Sequence, residues 1–174
     1  MSILEIAANY YQYFLRGTRT TILVALVTVF CGALLGCAIA LMRLSKIKVL
    51  NWFSRLYITV IRGTPMLVQL YIIYLGVFSF IEVPKMTIFG FLRLDLFIPS
   101  VVALALNSSA YVAEIFRAGI LAVDAGQTEA ARSLGLSSWQ SMRLVVLPQA
   151  VKNVLPALAN EVVTMVKESS ICSV

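Results

Sequence analysis

Hydrophobic residues fill most of this chain, and a few polar interruptions divide it into four apolar stretches. The first covers residues 20–42, which as a helix would be ~35 Å long and would cross a bilayer. The second covers residues 52–81, the third residues 96–118 and the fourth residues 154–174. The pattern predicts an all-α polytopic membrane protein with four spans.

Residues 1–16 precede the first span and alternate apolar and polar residues at helical spacing. Several aromatic residues gather just before Arg16, namely Tyr10, Tyr11, Tyr13 and Phe14. Aromatic side chains are enriched where a membrane meets water. We therefore expect residues 1–16 to form an amphipathic helix that lies in the membrane interface.

The second apolar stretch is interrupted by Arg62-Gly63-Thr64-Pro65. Pro65 lacks an N–H and disfavours helix in the residue before it, and Gly63 relaxes the backbone. One interpretation is a broken membrane helix, whose freed backbone groups transporters use to hold substrates. The other is a turn that leads a cytoplasmic helix into the span, with Arg62 reaching lipid phosphates. The residues favour neither interpretation.

The third and fourth spans carry polar side chains at mid-depth. Asn107, Ser108 and Ser109 follow one another in the third span, and Glu161 lies ~7 Å of helical rise beyond Pro156. Polar groups inside a membrane are costly unless they face a bundle interior or a wet cavity. Together with Thr64 at the break, Ser108, Ser109 and Glu161 are candidate substrate-binding residues. Hydrogen bonding between helices is an equally good explanation of the hydroxyl groups.

Two further patterns concern helix packing and ion pairing. Gly32 and Gly36 have G-x-x-x-G spacing, which lets another helix approach closely, within this chain or in another subunit. Glu114 and Arg117 are three residues apart and can pair on one helix face.

The composition supports a membrane protein and excludes several kinds of chemistry. Of the 174 residues, 60% are hydrophobic and only 13% charged, so residues 1–174 are predicted to form a single transmembrane domain. Histidine is absent from the sequence, which argues against His-based catalysis and most metal sites. The three cysteines lie in apolar runs, where they are expected to be packed thiols rather than disulfides.

The charges predict an orientation. Basic residues without an acidic neighbour follow the first span, and residues 117–152 also carry more basic than acidic side chains. Loops rich in Lys and Arg lie on the cytoplasmic side, so the N-terminus is expected outside and residues 117–152 in the cytoplasm. This distribution explains the net charge of +6 without a nucleic-acid partner.

The longest polar interruption lies within residues 117–152. Small residues at Ala130 and Ala131 would let a partner protein approach closely. Gly135 occupies the position of a left-handed helix C-terminal residue, and Ser137 and Gln140 have the spacing of a capping box. We expect two short helices with a sharp corner, followed by a path that stops and restarts at Pro148 and Pro156.

The spacing in this interruption resembles the EAA loop of membrane subunits of ATP-binding-cassette (ABC) importers. The chain has Glu129-Ala130-Ala131, three residues, Gly135, nine residues, Val145 and Leu147-Pro148, and differs from the loop's pattern in having Val145 for Ile. The resemblance implies that a separate ATPase docks here. The candidate coupling residues are Glu129, Ala130, Ala131, Gly135, Leu147 and Pro148.

Further stretches resemble the polar amino acid permease subfamily, among them residues 62–70, 107–115, 117–120 and 167–170. The resemblance implies the type I importer fold, about five spans, a dimer with a second copy or a paralogue, a location in the bacterial inner membrane, and an extracytoplasmic amino-acid-binding protein. The family's last span has no counterpart after Val174, so we expect it to be missing from this sequence.

The sequence has no G-x-x-x-x-G-K-[ST] motif and therefore no P-loop site for ATP. ATP and Mg²⁺ are expected on the partner ATPase, and this chain is expected to be a transport subunit rather than an enzyme. The implied function is import of polar amino acids (arginine, lysine, histidine or glutamine) by alternating access. A carboxylate at Glu161 favours cationic ones. The alternative is an ion channel or another membrane pore subunit.

Overall fold

The computed structural model describes the backbone of residues 3–173 and the side chains of residues 9–172. Its first helix, α1 (Ile3–Leu44), has 42 residues and is about 63 Å long. The segment predicted as a separate interfacial helix, residues 1–16, instead continues into the first span without a break from Ile3 onward. A single glycine, Gly17, costs only about 1 kcal/mol in a helix and leaves its hydrogen bonds intact. Whether this segment lies in the interface stays a prediction.

The second apolar stretch is bent at the position that the sequence predicts. Helix α2 (Lys48–Gly63) ends at Thr64, whose backbone is extended, and α3 (Met66–Tyr71) begins after Pro65. A π-helical segment, Ile72–Val77, follows directly. The axis turns by 107° between α2 and the pair formed by α3 and the π-helical segment. A straight second span is therefore excluded.

A short antiparallel hairpin connects the bent region to the next helix. Strand β1 (Thr87–Ile88) pairs with β2 (Leu92–Arg93), and Gly90 turns the chain with φ +70°. Arg93 donates hydrogen bonds to the Asp95 carboxylate, which raises the pKa of the Arg93 guanidinium above its ordinary value. The hairpin leads without a loop into α4 (Leu94–Leu121).

The C-terminal part of the chain forms two short helices and one long one. They are α5 (Ala125–Ser133), α6 (Ser138–Ser141) and α7 (Leu147–Glu168), with a π-helical segment, Met142–Val146, between α6 and α7 and a 3₁₀ segment, Ser169–Ser173, at the end. The predicted stops at Pro148 and Pro156 are wrong. Pro148 lies in the first turn of α7, where a missing N–H costs little, and Pro156 lies inside the helix.

Helix α4 is the centre of the fold. It packs along α1 over the largest contact in the molecule and also contacts α7, α2 and α3. One core cluster joins α1, α4 and α7 through Ala25, Leu104 and Met165. A second joins α1, α2 and α4 through Ala40 and Ile58. The apolar window of α4 is 67% buried and that of α1 only 28%, so α1 is the outer helix.

Two helices among the described residues are long and apolar enough to cross a membrane, α1 from Asn9 and α4. The bent pair of α2 and α3 with its π-helical segment adds a third if it counts as one span. The structure thus supports two or three apolar spans where the sequence predicts four. The predicted fourth span corresponds to α7, which has the length but also carries Lys152, Glu161, Lys167 and Glu168.

Candidate functional site

The polar patch on α4 contacts three different helices. Asn107, Ser108 and Ser109 are consecutive, so their side chains leave the helix about 100° apart. All three are buried, with 3%, 0% and 0% of their surface exposed. They contact α3, α7 and α2 in that order. The patch is therefore where the bundle is held together by hydrogen bonds.

Ser108 and Glu161, both candidate substrate-binding residues, form a direct contact. The Ser108 hydroxyl donates to Glu161 Oε1 at 2.7 Å. Glu161 lies on α7 and is 7% exposed. Gly32 of α1 covers the same serine so closely that a Cβ atom there would lie 2.9 Å from Ser108 Oγ. The carboxylate thus lies at the junction of α1, α4 and α7.

Thr64 is linked to the patch through Gln69, which was not among the predicted site residues. Gln69 Nε2 donates to Thr64 Oγ1 at 2.7 Å, to the Thr64 carbonyl at 3.0 Å and to the Ile61 carbonyl at 2.7 Å. Asn107 Nδ2 donates to Gln69 Oε1 at 3.0 Å. Backbone carbonyls freed by the break at Pro65 are thus satisfied by one amide, which is itself held by α4.

Ser109 makes a third, separate contact. Its hydroxyl lies 2.8 Å from the Tyr57 hydroxyl of α2, and both hydroxyls donate to the Leu106 carbonyl. The structure therefore brings Ser108 and Glu161 together, connects Thr64 to Asn107 through Gln69, and places Ser109 against α2. Gln69 and Asn107 carried a signal in the sequence, because both are amides within apolar runs.

Charged residues of α1, α2 and α4 lie close together around one cleft. Arg117 pairs with Glu114 at 2.8 Å, as the spacing predicts, and Arg43 Nε lies 4.0 Å from the same carboxylate. The guanidinium of Arg62 lies over the Tyr111 ring, 5.1 Å from its centroid, which is within range of a cation–π interaction.

The interruption at residues 117–152 has the predicted helical corner. Asp124 caps α5 by accepting from the Gly126 N–H, and Gly135 follows the helix in the left-handed region with φ +84°. Ser137 and Gln140 form both hydrogen bonds of the capping box at the start of α6. Both predictions about local geometry are confirmed.

The candidate coupling residues differ in their exposure. Glu129, Ala130, Gly135, Leu147 and Pro148 are exposed, whereas Ala131 is buried within the chain and is 4% exposed. Two large apolar side chains at the corner are the most accessible, Leu134 at 84% and Trp139 at 68%. Sequence reasoning did not select this pair, although an apolar residue in a polar loop is a signal for a contact surface.

Comparison with known proteins connects these features to a family. A family model described as the binding-protein-dependent transport system inner membrane component matches residues 32–174. The arginine transport system permease protein ArtQ of Bacillus subtilis (strain 168) is 42% identical over 162 residues, which are 93% of this chain and 70% of that protein. The probable amino-acid ABC transporter permease protein YckA of the same organism is 39% identical over 169 residues, covering 97% of this chain and 70% of that protein.

A solved structure agrees with the sequence comparisons. A crystal structure of an amino acid ABC transporter with histidines superposes with a TM-score of 0.88 at 48% identity, covering 99% of this chain and 76% of that chain. These relatives are transmembrane subunits, and the ATPase of such a transporter is a separate subunit. The chain therefore belongs to the family of inner membrane components of binding-protein-dependent transport systems and is a multi-pass permease subunit of the amino-acid ABC transporter kind, with the type I importer fold.

Proposed function

We propose that this chain imports polar amino acids, cationic ones preferentially, by alternating access driven by an ATPase docked on the loop at residues 117–152. In this proposal the loop is cytoplasmic and the N-terminus is outside, in agreement with the charge distribution. An extracytoplasmic amino-acid-binding protein delivers the substrate, and a second copy or a paralogue completes the dimer.

One observation carries the proposal. The exposed corner at Leu134 and Trp139 continues through α6 and a π-helical segment into α7, which carries Glu161. From Pro148 to Glu161 the helical rise is about 20 Å. A rigid helix of this length transmits a displacement of the corner to the junction of α1, α4 and α7. The ATPase would act at one end and the substrate would bind at the other.

The substrate proposal rests on Glu161, with Thr64, Ser108 and Ser109 as additional hydrogen-bonding groups. A buried carboxylate favours an ammonium or guanidinium partner. Relatives of this chain are named for arginine, octopine and glutamine transport. In the described conformation Ser108 donates to Oε1 of Glu161, and the remaining lone pairs of the carboxylate are the acceptors that a substrate would use.

Replacing Gly135 with Pro tests the coupling role. Proline fixes φ near −65°, whereas Gly135 has φ +84° and donates its N–H to the Arg132 carbonyl at 3.0 Å. We expect ATP hydrolysis by the assembled transporter to continue while amino acid uptake falls about tenfold or more, the effect of losing roughly 1.4 kcal/mol of coupling. Both rates are measured in the same vesicles.

Gly90→Pro is the matched control, because Gly90 also has a positive φ but lies in the hairpin before α4. It should leave the ratio of uptake to hydrolysis unchanged. If Gly135→Pro assembles poorly with the ATPase, Gly135→Ala introduces milder strain at the same position. Normal coupled uptake in both Gly135 variants would exclude the loop as the coupling element.

A further inference from the structure

The corner between α1 and α2 contains a basic cleft that the transport proposal does not use. It has a volume of about 490 Å³ and is lined by Ser45, Lys46, Lys48, Asn51, Trp52 and Arg55. Lys48 and Arg55 are seven residues apart on α2 and therefore lie on one face, with Asn51 and Trp52 between them. The cleft is thus a strip of positive charge with an indole at its centre.

The positive charge of this cleft is not neutralised within the described part of the chain. The ion pairs there join Arg43 and Arg117 to Glu114, and Arg93 to Asp95. Lys46, Lys48 and Arg55 belong to none of them. Arg55 also lines a neighbouring cleft of about 310 Å³, which contains three more arginines and the Glu114 carboxylate. The uncompensated charge favours an anion.

Hydrogen bonds within the α1–α2 corner hold the cleft in place. Only residues 45–47 connect α1 to α2. Asn51 donates from Nδ2 to the Arg43 carbonyl and accepts from Arg43 Nη1 at 3.2 Å, so the end of α1 is fixed to the first turn of α2. The Ser45 hydroxyl accepts from the Ile47 N–H at 3.1 Å. These contacts hold the backbone to which the basic side chains are attached.

Apolar side chains next to the cleft indicate the kind of anion. Val49, Trp52 and Phe53 are 73%, 63% and 54% exposed, and the apolar span of α1 ends at Leu44. The cleft therefore lies at the end of the apolar helix α1, where basic and apolar side chains are neighbours. A free anion would gain nothing from this apolar surface, whereas a phospholipid has a phosphate for the basic strip and acyl chains for the apolar residues.

We propose that the α1–α2 corner binds the headgroup of an anionic phospholipid. Lys46, Lys48 and Arg55 contact the phosphate and the other headgroup oxygens, Trp52 lies at the level of the ester linkages, and Val49 and Phe53 contact the acyl chains. The bound lipid neutralises the corner. It also holds α2, the helix that precedes the 107° bend, at the membrane surface.

Tryptophan quenching tests this site directly. The chain has two tryptophans, so Trp139→Phe leaves Trp52 as its single reporter. The full chain is placed in vesicles that contain phosphatidylglycerol or phosphatidylcholine with brominated acyl chains. We expect phosphatidylglycerol to quench Trp52 with a preference of about fivefold or more, since each basic residue at a membrane surface contributes roughly that factor.

The variants separate a specific site from general surface charge. Lys48→Gln/Arg55→Gln should reduce the preference about fivefold or more, whereas Arg143→Gln/Lys152→Gln, which removes the same charge elsewhere, should retain it. Arg55→Lys keeps the charge and should also retain most of the preference. Size-exclusion profiles of all variants check their folding.

Three results would overturn the proposal. Equal quenching by the two lipids in the otherwise unchanged chain would show that no anionic lipid is selected. An equal loss in the Arg143/Lys152 variant would show general surface attraction. A Trp52 signal that saturates with inorganic phosphate, without a lipid preference, would show a site for a free anion instead.

Discussion

At the scale of single residues, Glu161 is a buried carboxylate that forms no ion pair among the described residues. Its partner in the described structure is the Ser108 hydroxyl, 2.7 Å away. Both residues can be selected from the sequence, because a carboxylate and a hydroxyl within apolar runs are unusual. The contact between them cannot be predicted from the sequence, because it depends on how α4 and α7 cross.

Glu161→Gln should reduce uptake of arginine and lysine about tenfold or more. Glutamine keeps the shape of the side chain and an oxygen that accepts from Ser108, so the change removes the charge and replaces the second carboxylate oxygen by an NH2 donor. A hydrogen bond to a charged group contributes about 1.5–3 kcal/mol, which corresponds to a factor of roughly ten to a hundred. Uptake of radiolabelled arginine, lysine and glutamine in vesicles provides the measurement.

Glu114→Gln is the control, because Glu114 is also a carboxylate on a long helix but pairs with Arg117. It should lower the uptake of all three amino acids equally or not at all. Unchanged arginine and lysine uptake by Glu161→Gln would refute the proposed ligand role and leave Glu161 as a packing residue.

The hydrogen-bond partners of Gln69 could not be predicted from residue types alone. The sequence places an amide four residues after Pro65, but its four hydrogen-bonding partner atoms lie before the break, on Ile61 and Thr64, and on α4, at Asn107. A contact of this kind depends on the 107° bend, and the proline predicts the presence of a bend without its angle.

Gln69→Leu should lower the free energy of unfolding by about 1–3 kcal/mol, because the buried Asn107 amide loses its acceptor and the Ile61 and Thr64 carbonyls lose the Gln69 donor. Gln12→Leu is the matched control, since Gln12 is exposed on α1 and contacts only Tyr11 at 3.4 Å among the described residues. Denaturant titration of the purified permease measures both. Equal stability of the two variants would show that Gln69 does not hold the bend.

At the scale of elements, close contact between α1 and α4 explains the G-x-x-x-G pattern. Gly36 lies against the Ser109 carbonyl and Val112, and a Cβ atom there would lie 2.9 Å from both. Gly32 lies against Ser108 in the same way. The sequence allowed packing of the Gly32–Gly36 face within this chain or against another subunit, and the structure shows packing within the chain.

Gly36→Ala should destabilise the bundle by about 1–3 kcal/mol, because backbone as well as side-chain atoms oppose the added methyl group. Gly17→Ala on the same helix meets nothing within 4 Å and should be neutral or stabilising by up to about 1 kcal/mol through helix propensity. Thermal unfolding of both variants in one detergent gives the comparison. A stable Gly36→Ala permease would contradict the observed helix approach.

Element boundaries were predictable where local chemistry defines them and not elsewhere. The capping box at Ser137 and the left-handed Gly135 follow from side-chain and backbone preferences of a few residues. The continuous helical path from α6 into α7 does not follow from such local preferences. A π-helical turn before Pro148 keeps the helix continuous, and such turns have no reliable sequence signature.

At the scale of the whole molecule, the loop, α7 and the polar junction form one continuous structure. The exposed corner lies at one end, and Glu161, held by Ser108 on α4, lies at the other. Fold class and family were predictable from hydrophobic stretches and motif spacing. The number of apolar spans was not, because α7 has the length of a span but carries charged and polar residues, of which Glu161 and Asn153 form hydrogen bonds with α4.

We propose ATP-driven import, and the alternative is a passive pore. The decisive measurement is accumulation of radiolabelled arginine in vesicles that contain the permease, its ATPase and its binding protein, with ion flux recorded in vesicles that hold the permease alone. For ATP-driven import we expect accumulation above the outside concentration only when both ATP and the binding protein are present, and no ion flux through the permease alone. Ion flux without ATP, or equilibration of arginine without accumulation, would contradict it.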